Sequence, residues 1–154
     1  MALHLSGICQ EPSSNLNCLI KVDDKIVKVG FSDGFLSILD DKGNVTDKLP
    51  FEYEVGRIMM KQEHVDLLKN KSNAKAVLEF NYRQLCPSTK EYTYKLGIDL
   101  DFIFQRYLII EVFNLDKKRN AQTFGGKNGY VFDLEIPSKK ISTPRMRKRK
   151  DDCL

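Results

Sequence analysis

The chain is poor in the residues that metal binding and catalysis most often use. It contains no tryptophan, two histidines and four cysteines, and no two cysteines form a CxxC pair. Zinc sites are normally built from closely spaced ligand pairs, so this spacing argues against bound zinc. Four cysteines spread over 154 residues also do not indicate a disulfide-rich scaffold. We therefore predict no metal ion and no cofactor.

Long apolar segments are absent as well. The longest apolar run, residues 107–112, is interrupted by Glu111, and nothing approaches the ~20 apolar residues of a membrane-spanning helix. The first residues, MALHLSGICQEPSSN, have neither the basic start nor the apolar core of a secretory signal. We therefore expect an intracellular protein in a reducing compartment.

Recognisable catalytic and ligand-binding motifs are missing too. The two histidines lie far apart, and no Ser-His-Asp or Cys-His order is evident. The segment FGGKNG, residues 124–129, has Asn where a phosphate-binding loop requires Ser or Thr after its Lys. Asp99 and Asp101 alternate along a predicted strand, so they face water rather than converge with Asp116 on a calcium ion. We predict no catalytic residue and a chain that is not an enzyme.

The pattern that is present is an alternation of apolar and polar residues, which is typical of strands with one buried face. Around Asp23-Asp24 it predicts a hairpin that places Val22 opposite Lys25 and Leu16 opposite Phe31. Further strands are predicted at residues 35–39, 45–49, 51–55, 76–82, 92–104, 107–113 and 130–136.

Three other features shape the predicted fold. Gly97 lies inside the longest alternating segment and predicts a bulge or bend there. Pro50 cannot donate a backbone hydrogen bond, which favours a sheet edge or the start of a strand, and the strand near Pro50 is the candidate edge. Apolar residues recur at helical spacing in residues 61–71, which predicts one helix, whereas residues 114–129 are predicted to form a long polar loop.

So many one-faced strands are buried most simply by two packed sheets or by closure into a barrel. We therefore predict a mainly β fold: a single antiparallel β-sandwich or barrel-like domain of about eight or nine strands with one short helix. The domain is expected to span residues 15–136, after a flexible N-terminus at 1–14 and before a basic, disordered tail at 137–154. A PH-like roll is the closest alternative, although such a roll usually ends in a helix.

The basic charge of the chain is concentrated in this tail. Residues 137–154 carry seven Lys or Arg and two Asp, a net charge of +5, whereas the remaining eighteen basic and nineteen acidic residues give −1. A dense cationic run repels itself and stays extended, so it suits an import receptor or the phosphates of a nucleic acid. The residues predicted to make these contacts are Lys139, Lys140, Arg145, Arg147, Lys148, Arg149 and Lys150.

Two hydroxyl residues lie inside the basic cluster. Ser142 and Thr143 precede Pro144, a sequence of the kind that proline-directed kinases modify. A phosphate at either position would add nearly two negative charges among the cations and would weaken import or phosphate binding.

The favoured hypothesis is a non-enzymatic protein-interaction or adaptor module with a nuclear-localisation tail, located in the nucleus or in both nucleus and cytoplasm. Its partner protein would dock on a sheet edge or on an aromatic face. One alternative is nucleic-acid or chromatin binding through the tail, with Tyr92 or Tyr94 exposed for base stacking. A second alternative is a C2-like or PH-like lipid or membrane adaptor.

Overall fold

A computed structural model of the chain describes residues 13–71 and 73–137. The predicted N-terminal segment 1–14 lies almost wholly outside this range, and the predicted tail shares only Pro137 with it. The elements are β1 (Ser13–Val22), β2 (Lys25–Ile26), β3 (Phe31–Leu39), β4 (Val45–Glu54), β5 (Arg57–Lys61), α1 (Gln62–Lys69), β6 (Lys75–Gln84), β7 (Lys90–Asp99), α2 (Leu100–Ile103), β8 (Leu108–Asn114), α3 (Lys118–Phe124) and β9 (Tyr130–Glu135).

The strands form one sheet that curls until it is nearly closed into a barrel, in the order β7-β6-β3-β4-β5-β1-β8-β9, with β2 attached to β1. The prediction of a mainly β, barrel-like domain is confirmed. The sheet is mixed rather than purely antiparallel, because β1 and β8 run parallel. Alternation shows which residues face the core but carries no information on the direction of a neighbouring strand.

The Asp23-Asp24 turn has the geometry of a tight hairpin. Both residues have positive φ, 50° and 71°, as a type I′ turn requires at its two central positions. The predicted register holds for Val22 opposite Lys25 and ends one pair later. The first half of β1 pairs with β5 instead, and Leu16 lies opposite Ile58, so the predicted pairing of Leu16 with Phe31 is wrong.

The next hairpin, β3–β4, closes around Asp40. The Asp40 carboxylate accepts hydrogen bonds from the backbone N–H groups of Lys42 and Asn44 at 2.9 and 2.8 Å, which lowers the carboxyl pKa. The two strands predicted after this turn are one, because β4 runs through Pro50 without a break. Pro50 pairs with Phe35 of β3, and β4 lies between β3 and β5 in the sheet. The prediction that this strand forms a sheet edge is therefore wrong, because the outer strands are β7 and β9.

The segment predicted as one long strand at 92–104 divides at Asp99. Residues up to Asp99 form β7, paired with β6 in an unbroken register that includes Val77 opposite Gly97. The bulge predicted at Gly97 is therefore absent. The chain then turns into α2, where Leu100 and Ile103 are buried three residues apart. Apolar residues at alternate positions also fit one short helical turn, so the pattern does not distinguish the two.

Helices are more numerous than predicted. The helix expected at 61–71 is present as α1, with Val65 and Leu68 buried. The segment 114–129, predicted as a loop, contains α3, whose Asn120 is buried. A helix of two turns that buries a polar side chain has too little apolar periodicity to be recognised in a sequence.

The barrel is filled by the inward side chains of its strands. A row of aromatic rings crosses this interior, with successive ring centroids 5.0–5.7 Å apart. Such separations are typical of favourable aromatic pairs. The row consists of Phe51, Phe31, Phe80, Tyr94 and Tyr130. It therefore links the core to β9 at the point where the barrel remains unclosed.

Candidate partner-binding edge

Strand β7 presents an open backbone edge. It pairs with β6 on one side, and no strand of the described part of the chain pairs with its other side. The Lys95 N–H and C=O point away from β6, because both bond the Tyr130 hydroxyl instead. Alternate residues of an antiparallel strand direct their backbone groups to the same side. Thr93 and Gly97 therefore also direct theirs to this edge.

A tyrosine side chain, rather than a strand, crosses the gap between β7 and β9. The Lys95 N–H donates to the Tyr130 hydroxyl oxygen at 2.7 Å, and that hydroxyl donates to the Lys95 carbonyl at 2.9 Å. Directly paired strands lie about 4.8 Å apart and leave no room for a ring between their backbones. The Tyr130 hydroxyl thus takes both hydrogen bonds that a neighbouring strand would form at Lys95.

The inner side of the gap is apolar. On β7, Tyr94, Leu96 and Ile98 are buried in the core. On β9, Phe132 and Leu134 pack against the same core but remain partly exposed. An apolar side chain that entered the gap would therefore meet an apolar floor, and its burial would remove the exposed area of β9 from water.

The first half of β7 is fixed to the end of β8 by a polar network. The Tyr94 hydroxyl donates to the Asn114 side-chain oxygen at 2.8 Å, and the Tyr92 hydroxyl and Lys90 ammonium bond the Asp116 carboxylate at 3.1 and 3.0 Å. Burial, together with the Asp116 contact, raises the Tyr92 pKa to about 12. Burial acts to raise the Asp116 pKa, but the bonds from Lys90 and Tyr92 outweigh it and lower that pKa.

Asp23 is the buried centre of this end of the barrel. Its carboxylate accepts hydrogen bonds from the Asn114 N–H at 2.8 Å, the Asn114 amide at 2.9 Å and the Asn120 amide at 2.6 Å. The Lys117 ammonium lies 2.6 Å from the same carboxylate. A buried charge that is paired and fully hydrogen-bonded holds elements together. We therefore assign this cluster a structural role, joining the β1–β2 turn to β8 and α3.

Neither of the two cysteines in the described part, Cys18 and Cys86, presents a reactive thiolate. Cys18, the free cysteine of the described part, is buried, and burial raises its thiol pKa to about 12, so the thiol remains protonated. Cys86 is disulfide-bonded, which the cysteine spacing did not predict.

Metal-binding side chains of the described residues do not converge either. Within residues 13–71 and 73–137, no three His, Cys, Asp or Glu side chains lie close enough together to hold a metal ion. Asp116 is occupied by Lys90 and Tyr92, while Asp99 and Asp101 are exposed.

The residues predicted from the sequence to form the functional site lie outside the described residues. They are Lys139, Lys140, Ser142, Thr143, Arg145, Arg147, Lys148, Arg149 and Lys150.

The two tyrosines proposed for base stacking do lie within the structure, but neither ring is free. Tyr94 is fully buried, and Tyr92 is stacked on it at 5.9 Å with its hydroxyl on Asp116. The prediction of exposed rings is therefore wrong, because both residues belong to the inward set of β7. The open edge was not identified from the sequence, because an alternating strand has the same pattern whether it has one neighbour or two.

Comparison with known proteins adds no information on function. No protein-family model, no curated protein and no solved structure matches the chain. No helix in the described part combines the length and apolar character needed to cross a bilayer.

Proposed function

We propose that this chain is a non-enzymatic protein-interaction module that binds an extended segment of a partner protein along the edge of β7. The observation that carries this proposal is the outward backbone of Thr93 and Gly97, which no strand of the described part of the chain pairs. Between them, the Lys95 backbone groups bond a tyrosine hydroxyl in place of a strand. Edge strands with unpaired N–H and C=O groups are templates for strand addition. In this mode the backbone hydrogen bonds supply affinity and alternate side chains supply specificity.

Gly97→Pro tests the docking edge. Proline removes the outward N–H and places its ring where an added strand would lie, while the hydrogen bonds between β6 and β7 remain. A Cβ at Gly97 meets no atom within 4 Å, so a Cβ can be added at this position without a clash. We expect partners captured from a cell extract by the full chain to be retained about tenfold more weakly by the variant.

The matched control for this experiment is Gly97→Ala, which adds a side chain but keeps the N–H. Capture should be measured quantitatively for the wild type and both variants, after circular dichroism has established that each is folded. If the proline variant loses the captured partners and the alanine variant keeps them, the edge of β7 is supported as the docking site. Equal capture by all three proteins would contradict it, as would equal loss with both substitutions.

We also propose that the basic tail directs this module to the nucleus, or to both nucleus and cytoplasm. The support is the separation of charge: the tail carries +5, whereas the rest of the chain is nearly neutral. A cationic segment outside a neutral domain suits an import receptor better than it suits nucleic acid, because the basic residues that bind nucleic acid normally lie on the folded domain.

The localisation proposal is tested by replacing the tail cations with alanine. The chain is fused to a fluorescent tag large enough to prevent passive diffusion through nuclear pores. The wild type should accumulate in the nucleus, and the variant should lose most of that accumulation. The substituted residues are Arg145, Arg147, Lys148, Arg149 and Lys150.

A control variant carries the same change in net charge on the folded domain. Its five substituted lysines are exposed: Lys28, Lys42, Lys69, Lys118 and Lys127. If import depends on the tail, this control variant should still accumulate in the nucleus. A wild-type protein that does not accumulate in the nucleus would rule out the import signal, and binding of the tail to nucleic acid at varied salt would then be measured.

A further inference from the structure

We propose that the segment accepted at the β7 edge alternates apolar residues with basic ones. This inference rests on the proposed function and names the chemistry of the partner. It follows from what the two sides of an added strand would meet between β7 and β9, because successive side chains of a strand point to opposite faces.

The direction of the strands determines which residues flank the same end of the gap. Every pairing along the sheet from β7 to β9 is antiparallel except that of β1 with β8, so β7 and β9 run in the same direction. Tyr130, the first residue of β9, lies beside Lys95 of β7. Beyond this contact both strands continue toward one end of the gap, which Asp99 and Glu135 therefore flank.

The inward side of this gap requires apolar residues. Leu96 and Ile98 of β7 are buried, and Phe132 and Leu134 of β9 are partly exposed on the same inner face. A polar side chain placed between them would lose its hydration without gaining a hydrogen bond, at a cost that an apolar side chain avoids.

The outward side of the gap is acidic. Asp99 and Glu135 belong to the outward sets of their strands, and neither forms an ion pair within the described part of the chain. Lys75 lies opposite Asp99, on the side away from the gap. The one outward cation of β7 near the gap, Lys95, is paired with Glu79 at 3.4 Å. Outward side chains of an added strand thus meet two carboxylates that form no ion pair within the described residues, and they are favoured when basic.

Two synthetic peptides test this inference. One alternates lysine and valine over seven residues, and the other replaces every lysine with glutamate; both are capped and carry a fluorophore. Binding to the full chain is measured by fluorescence anisotropy at low salt. The lysine peptide should bind about tenfold more tightly than the glutamate peptide, since like charges across an interface are strongly disfavoured.

A charge-reversed variant tests whether the preference for the lysine peptide depends on Asp99 and Glu135. Asp99→Lys combined with Glu135→Lys should reverse the preference between the two peptides. The control, Asp41→Lys combined with Glu52→Lys, makes the same change in net charge at exposed residues of β4 and the β3–β4 turn and should leave the preference unaltered.

The possible outcomes separate the two proposals. Equal or tighter binding of the glutamate peptide overturns the present inference and leaves the docking edge standing. A lysine preference that both variants reverse, or that neither reverses, also overturns the inference, because the charge then acts on the whole protein or elsewhere. Failure of both peptides to bind overturns the docking edge itself. A preference reversed by the first variant alone supports the inference.

Discussion

At the scale of single residues, most charged side chains of this domain are exposed, and Asp23 is the main exception. Its carboxylate is 6% exposed and contacts Asn114, Asn120 and Lys117. The sequence indicated a turn at this position but not that the turn residue is buried, since its partners lie about ninety residues away in the chain. A polar residue whose partners are remote in sequence cannot be distinguished from an ordinary turn residue before the chain is folded.

Asp23→Asn should lower the free energy of unfolding by about 2–4 kcal/mol. Asparagine tolerates the positive φ of this turn as aspartate does, so the change acts on the network. The amide lacks the negative charge that the Lys117 ammonium requires and directs a donor at the Asn114 or Asn120 donors. Urea denaturation measures the difference.

Asp33→Asn is the matched control. Asp33 also has positive φ, 51°, but its carboxylate contacts Ser32 and Asn81 at an exposed position. Substitution there should change the unfolding free energy by less than about 0.5 kcal/mol. If both variants lose equal stability, the Asp23 network does not hold the structure together in the way described.

At the scale of the elements, β7 has an open edge because β9 does not pair with it. The alternation predicted the inward direction of Leu96 and Ile98 correctly, whereas the nucleic-acid hypothesis required Tyr92 or Tyr94 to be exposed. The alternation did not indicate that β9 would stop short of pairing with β7 and contact it through Tyr130. The reason is that a strand with one buried face has the same alternating pattern whether one or two strands pair with it.

Tyr130→Phe should expose the Lys95 backbone groups without removing the ring from the gap. Amide hydrogen exchange at Lys95 is expected to accelerate by about tenfold, as one hydrogen bond to a neutral hydroxyl contributes about 1 kcal/mol. NMR-detected exchange, with the Gly97 amide as an internal reference, measures this. The same variant should bind an added strand more tightly than the wild type, because no hydroxyl has to be displaced.

Tyr53→Phe provides the comparison for this experiment. The Tyr53 hydroxyl likewise accepts a backbone hydrogen bond, from the Ile20 N–H at 3.0 Å, so its loss should accelerate exchange at Ile20 and not at Lys95. Unchanged protection of Lys95 in Tyr130→Phe would mean that the hydroxyl does not shield the edge.

At the scale of the whole molecule, the chain combines a nearly neutral β domain with a basic tail. The domain is a barrel that is not fully closed on one side. At one end of the barrel, the buried polar side chains form hydrogen bonds with each other and with the backbone. We therefore infer that recognition and localisation are divided between the two parts: the open edge would select the partner, and the tail would determine where the protein meets it.

The amino-acid sequence by itself determined the class of the fold, the inward face of most strands, the helix α1 and the location of the basic charge. These features depend on local periodicity and composition, which a chain carries before it folds. Only the tertiary structure decided the parallel pairing of β1 with β8, the burial of Asp23 and the open side of β7. Each of these depends on contacts between residues distant in sequence, whose partners are selected when the whole sheet closes around a common core.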